Sequence, residues 1–253
     1  MIIKEYGNEN KETIMLLYGG GLSWWNYKYE IEYLKNNFHI IIPILDGHSG
    51  SDAEFISIEE NASRIIEYID EHCSGHILMM GGLSLGGQIL IEILSQKSDI
   101  CDYAIIESAL TIPMKVTNKM VDFSFSMFYG LISKKWFSKL QFNSLKIRKD
   151  LFNEYYYDSC NINKESLIAF MKANTKYEIK STLKNTSAKV LILVGGKERA
   201  IMKASARKTQ EIIKGSKLEI LDGYYHGELS INHPEQYVEK LENLIFTTSI
   251  LGE

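Results

Sequence analysis

Met79-Met80-Gly81-Gly82-Leu83-Ser84-Leu85-Gly86-Gly87-Gln88 is the stretch that decides the fold, and it contains G-x-S-x-G as Gly82 to Gly86. The run before it, His76-Ile77-Leu78-Met79-Met80, has the length and apolarity of a strand, and Gln88-Ile89-Leu90-Ile91-Glu92-Ile93-Leu94 after it reads as a buried helix. A strand must therefore become a helix within a few residues at Ser84, which forces the serine into a tight, strained backbone conformation at the tip of the turn. Gly82 and Gly86 flank it because side chains there would collide as strand and helix close on each other, and Gly87 relaxes the first helical turn. The helix start also aims unpaired N–H groups at the serine oxygen, a favourable place for negative charge to develop.

Working outward, strands are expected at Ile2–Tyr6 and Thr13–Tyr18, separated by the turn-rich Gly7-Asn8-Glu9-Asn10. The second runs into Gly19-Gly20-Gly21, then Leu22-Ser23-Trp24-Trp25 and a helix through Leu34. Phe38–Ile42 is another apolar run, ending at Pro43 before the loop Asp46-Gly47-His48-Ser49-Gly50-Ser51. Ser57-Ile58-Glu59-Glu60 has the spacing of a capping box and opens a helix through Ile69. Tyr103–Ile106, Val190–Val194 and Lys217–Leu221 complete the strands. Helices are expected near Met202–Ile213 and from Pro234, well suited to a first helical position, to Phe246. Apolar strands alternating with helices imply an α/β fold: a mostly parallel central sheet with helices on both faces. Reactive groups in such folds collect at the carboxyl ends of the strands, where the loops at Gly19–Gly21, Ser84, Gly195–Arg199 and the segment before Gly227 all lie.

The interruption from Thr111 to Leu183 differs in texture. Val116, Met120, Phe123, Met127 and Leu131 recur at helical spacing, and Phe125, Phe128, Tyr129, Trp136, Phe137 and Phe142 add aromatic density. This reads as a helical cap, residues 111–183, inserted into a core made of residues 1–110 and 184–253. Most such aromatics pack a core of their own, but some are expected to face the serine, and Trp24, Phe128 and Trp136 are the candidates for contact with substrate.

With 253 residues and a formal net charge of −4, the chain shows no extended basic patch, which argues against nucleic acid and against an anionic membrane surface as partners. Small or neutral molecules are the expected ligands. Cys73, Cys101 and Cys160 are odd in number and far apart, so reduced thiols in the cytoplasm are expected. No basic leader segment or membrane-length apolar run is present. His72 and His76 have metal-like spacing, but they straddle a helix-to-strand boundary containing Gly75, and no metal is expected. The sequence is silent on oligomeric state.

A serine hydroxyl is a weak nucleophile: it needs a base within hydrogen-bond reach, and the base needs a group that fixes its tautomer. Gly223-Tyr224-Tyr225-His226-Gly227-Glu228 places His226 in a loop after the last strand, and Val194-Gly195-Gly196-Lys197-Glu198 places a carboxylate beyond the preceding one. In order Ser, acid, His, the chain resembles the α/β-hydrolase superfamily over nearly its whole length except the cap. The resemblance implies Ser84 as nucleophile, His226 as base and Glu198 as the orienting acid. His233 competes with His226, and Glu107 and Asp222 compete with Glu198. The resemblance also implies an oxyanion hole from the backbone N–H of Leu85 and one from Gly20 or Gly21. The family's usual histidine before the glycine loop is replaced by Tyr18, and Asp46 to Ser51 resembles a shortened form of a structural loop, which gives His48 no catalytic role. Arg199 reads as a surface charge, with a substrate clamp as the alternative. The activity implied is cofactor-free hydrolysis of a small or medium carboxylic ester. Thioesters, activated carbon–carbon bonds and a slow-turnover ligand receptor are the alternatives, because fold and triad do not fix the bond.

Overall fold

The computed structural model, which describes residues 1–9 and 11–249, joins seven strands in one sheet. They are β1 (Ile3–Tyr6), β2 (Thr13–Leu17), β3 (His39–Pro43), β4 (Ile77–Leu83), β5 (Cys101–Glu107), β6 (Lys189–Gly195) and β7 (Lys217–Leu221). Their order is β1-β3-β2-β4-β5-β6-β7, parallel throughout except for β1, which runs antiparallel to β3. Strand order reverses at the junction of β2 and β4, with Leu17 opposite Gly82, so the glycine loop after β2 and the turn after β4 emerge side by side. Of the turn expected at Gly7 to Asn10, Asn10 lies outside the described residues.

Helices α1 (Lys28–Leu34), α2 (Ile58–His72), α3 (Leu85–Gln96), α8 (Ala200–Ile212), α9 (Glu228–Asn232) and α10 (Pro234–Ser249) surround the sheet. α1 packs on α10 and α2 on α3, and every residue of β3 is buried, as a strand covered on both faces requires. Ser57 caps α2 as its spacing predicts, its Oγ accepting the Glu60 N–H at 3.0 Å.

Between β5 and β6 lie four further helices, α4 (Lys115–Ile132), α5 (Lys135–Ser144), α6 (Phe152–Asn161) and α7 (Lys164–Lys176). α4 packs chiefly on α7, and α5 on α6. A buried amide moors this layer to the sheet. Gln88, on α3, donates to the carbonyls of Leu110 (2.6 Å) and Asn174 (2.9 Å), and its Oε1 accepts the Asn174 side-chain N–H at 2.9 Å.

The apolar repeat of α4 points away from the sheet. Val116, Met120, Phe123 and Met127 are 76%, 57%, 68% and 54% exposed, while Val121 on the opposite face is buried. Phe128 and Trp136 are exposed as well.

Candidate active site

Ser84 sits at the junction of β4 and α3 with φ 53° and ψ −110°, a left-handed φ that a side chain adopts only under constraint. The constraint is local and visible. A Cβ on Gly82 would lie 2.5 Å from the Gly86 carbonyl oxygen, and one on Gly86 would lie 2.1 Å from that of Leu17. The Ser84 N–H donates to the Glu107 carbonyl at 2.8 Å, pinning the turn to the end of β5.

Residues from two other loops converge on this serine. His226 follows β7, and its Nε2 is 3.0 Å from Ser84 Oγ. Its Nδ1 is 2.7 Å from Oε2 of Glu198, which follows β6. An ionised carboxylate only accepts, so the imidazole carries its proton on Nδ1 and leaves Nε2 free to accept the serine proton. Glu198 is held firmly: its other oxygen accepts the Ser108 hydroxyl at 2.6 Å and the Gly195 N–H at 2.7 Å. Burial pushes the Glu198 carboxyl up, but the hydrogen bond and charge of His226, with the Ser108 and Gly195 donors, bring it below its ordinary value. The carboxylate therefore stays ionised beside the imidazole. Such a chain can pull the proton from a serine hydroxyl and stabilise the imidazolium that results.

The competing residues sit elsewhere. Glu107 is buried with one oxygen unpartnered and the other 3.4 Å from the Ser230 N–H, and burial raises its carboxyl to about 7. Asp222 lies beside Gly196. His233 contacts Glu228 at 3.8 Å and stands against the Tyr224 ring at the start of α10.

Leu85 is the first residue of α3, so its N–H has no intrahelical partner, and Gly20 packs directly against it. Both line a cavity of about 240 Å³ together with Ser84, His226, Leu22 and Phe170. Gly20 and Gly21 differ in what their N–H groups meet, with Gly21 engaged by His48. The Gly21 N–H donates to His48 Nε2 at 3.1 Å and is spent there, whereas the Gly20 N–H has no partner among the described residues. His48 Nδ1–H donates in turn to the Asp46 carbonyl at 3.1 Å, and the ring stacks on Phe170 with centroids 4.7 Å apart. Burial depresses the His48 imidazole to about 4, so it is a neutral acceptor at physiological pH. Tyr18, in place of the family's usual histidine, is buried and accepts the Leu45 N–H at 2.8 Å.

A second cavity, about 420 Å³, also borders Ser84 and shares Leu145, Met171, Asn174 and His226 with the first. Leu110, Met114, Leu145, Met171 and Met202 make it mainly apolar, and Lys146, Lys197 and Arg199 stand at its exposed rim. Arg199 thus borders the cavity from the surface. The three aromatic candidates do not reach either cavity. Trp24 lies in a separate recess, its ring 6.3 Å from that of Tyr6. Phe128 and Trp136 are 47% and 63% exposed and line neither cavity. Met171, Asn174, Leu145 and Ser108 are the neighbours that sequence reasoning missed. Only Ser108, one residue past an apolar strand, carried a positional signal.

Among the described residues no group of three or more His, Cys, Asp or Glu could hold a metal ion, and His72 and His76 each bond a backbone carbonyl. All three cysteines are unpaired, and no described helix is long and apolar enough to cross a membrane.

The sequence profile of the family described as serine aminopeptidase, S33, matches residues 8–230. The chain belongs to that family. The serine aminopeptidase family is one of α/β-hydrolases, and solved structures agree on the fold. An esterase from Exiguobacterium antarcticum is 18% identical with a TM-score of 0.81, covering 96% of this chain and 94% of its own. An enol-lactonase from Burkholderia xenovorans is 13% identical with a TM-score of 0.81, covering 96% and 95%. A carboxylesterase structure from Nitrososphaera gargenis is 17% identical with a TM-score of 0.79, covering 98% and 95%. No curated protein matches the chain in sequence.

Proposed function

We propose that this member of the serine aminopeptidase family is a serine hydrolase that cleaves a small or medium, largely apolar carboxylic ester. The observation that carries the reading is the unbroken chain from Ser84 Oγ through His226 to the buried Glu198, opening onto two mainly apolar cavities. Ser84 attacks the ester carbonyl while His226 Nε2 takes its proton, and Glu198 supports the imidazolium. The developing oxyanion is held by the N–H groups of Leu85 and Gly20, each donor of this kind being worth ~10²–10³ in rate. His226 returns the proton to the leaving alcohol. It then activates a water that frees the acyl group from Ser84. Residues 111–183 serve as the cap, with Met114, Leu145, Met171 and Asn174 as the surfaces that select substrate.

Ser84→Ala is expected to lose ester turnover by roughly 10⁴–10⁶ with an unchanged melting temperature, and His226→Ala to cost about as much, because the residues act as a unit. Turnover of p-nitrophenyl butyrate and labelling of Ser84 by a fluorophosphonate check this. Turnover by Ser84→Ala equal to that of the parent protein sinks the proposal. Rapid labelling without turnover of any ester or thioester points instead to a receptor that keeps the pocket.

A further inference from the structure

We infer that the outer face of α4 and α5 is a docking surface for an anionic lipid bilayer. Val116, Met120, Phe123 and Met127 form a single stripe along α4 at spacings of four, three and four residues, each more than half exposed. Trp136 and Leu140, one turn apart on α5, are 63% and 64% exposed. Exposed apolar side chains are ordinarily scattered singly, and a stripe of this length marks a surface that something covers.

The charges beside the stripe say what covers it. α4, α5 and the turn between them carry Lys115, Lys119, Lys134, Lys135 and Lys139, none with a carboxylate within ion-pair distance among the described residues. Their sole acidic residue, Asp122, is paired with Lys172 at 2.8 Å. A second copy of this chain would set its own five lysines against these five, whereas an anionic bilayer neutralises them and takes up the apolar side chains between them. Trp136 is suited to the headgroup level, where an indole has both an apolar body and a polar N–H. The net charge of −4, which argued against an anionic surface, averages over this segregation. Thr117 of α4 and Ser144 of α5 border the cavity at Ser84, so a docked bilayer lies at the edge of that cavity.

The test is co-sedimentation of the full chain with vesicles of phosphatidylcholine alone or with about 30 mol% phosphatidylserine. It needs no ester turnover, so it stands or falls separately from the hydrolase reading. Partitioning is expected to rise at least about tenfold with phosphatidylserine, since each lysine near such a surface contributes roughly fivefold, and to fall in about 0.5 M salt. The pair Phe123→Ser and Met127→Ser is expected to lower it about tenfold, and the pair Lys119→Glu and Lys139→Glu to remove the phosphatidylserine preference. All four side chains are exposed, and circular dichroism checks that the variants fold. Absence of binding by the parent chain overturns the inference, as does equal binding by parent and variants. A concentration-dependent dimer that Phe123→Ser and Met127→Ser dissolve, without vesicle binding, also overturns it and assigns the face to a second copy.

Discussion

Replacing His48 by Phe separates a bond from the packing around it. The phenyl ring keeps the stack on Phe170 but removes both the acceptor for the Gly21 N–H and the donor to the Asp46 carbonyl. An orphaned donor of this kind costs about 1–3 kcal/mol, and for a chain of this length each kcal/mol lowers Tm by roughly 2–4 °C. The larger effect is expected in rate. On the proposed mechanism, in which the Gly20 N–H holds the oxyanion, releasing the loop at Gly21 displaces that donor, and its partial loss lowers kcat by about 10–100-fold. KM should change little, since the ground-state ester gains little from that donor. His48→Gln, whose amide oxygen can accept from Gly21, should restore much of kcat. A second signature is in acid. The folded-state imidazole sits near 4 against an ordinary 6.5, so stability present above pH 6.5 is lost as pH falls toward 4, by about 3 kcal/mol in all. His48→Phe should flatten that part of the pH–stability curve. Steady-state kinetics on p-nitrophenyl butyrate and melting curves from pH 4 to pH 8 measure both. An unchanged kcat in a variant with lowered Tm would refute the reasoning, leaving His48 as packing alone.

Two further substitutions probe the carboxylates. Ser108→Ala takes a donor from Glu198, so the carboxyl rises and the acidic limb of the kcat/KM profile moves to higher pH, with kcat reduced by roughly threefold to tenfold. A profile that does not move would show that Ser108 does not tune Glu198. Glu107→Gln works in the opposite sense on stability. The Glu107 carboxyl, raised by burial to about 7 from 4.5, holds its proton in the folded state, so the stability it supplies in acid is lost as pH rises from 4.5 to 7. The neutral amide should therefore raise Tm at pH 8 while changing it little at pH 4, a difference of about 3 kcal/mol by linkage. An equal shift at both pH values would contradict a buried, protonated Glu107.

Features that depend on neighbours in sequence were legible in the chain itself. The turn at Ser84 is one: the glycines at 82 and 86 meet backbone within a few residues, so the constraint is written locally. The cap of α2 by Ser57 and the span of β7, found at Lys217–Leu221 as expected, are others. What the chain does not spell out depends on residues far apart. Gly20 and Gly21 look alike in sequence, and only His48, brought from 27 residues downstream, decides which N–H is spent. The period of Val116, Met120, Phe123 and Met127 reports that they share a face, but nothing in it says whether that face meets the sheet or solvent. Phe128, Trp136 and Trp24 line neither cavity, because an aromatic residue in the sequence does not report which side chains it meets: the Trp24 ring packs near Tyr6 of the edge strand.

Gln88 has a mechanical consequence. It belongs to α3, the helix that begins just after Ser84, and it grips both Leu110 and Asn174, where chain enters and leaves the inserted layer. Ser84 and α7 are thereby parts of one stiff frame, and α7 serves as a fixed wall. Asn118 ties α4 to α7 as well, donating to the Lys172 carbonyl at 2.8 Å and to Thr175 Oγ1 at 2.9 Å, so any widening of the cavity is expected at α5 and the turn after it, where Leu145 and Lys146 border it. The hinge of this molecule is thus expected on the side opposite its anchor.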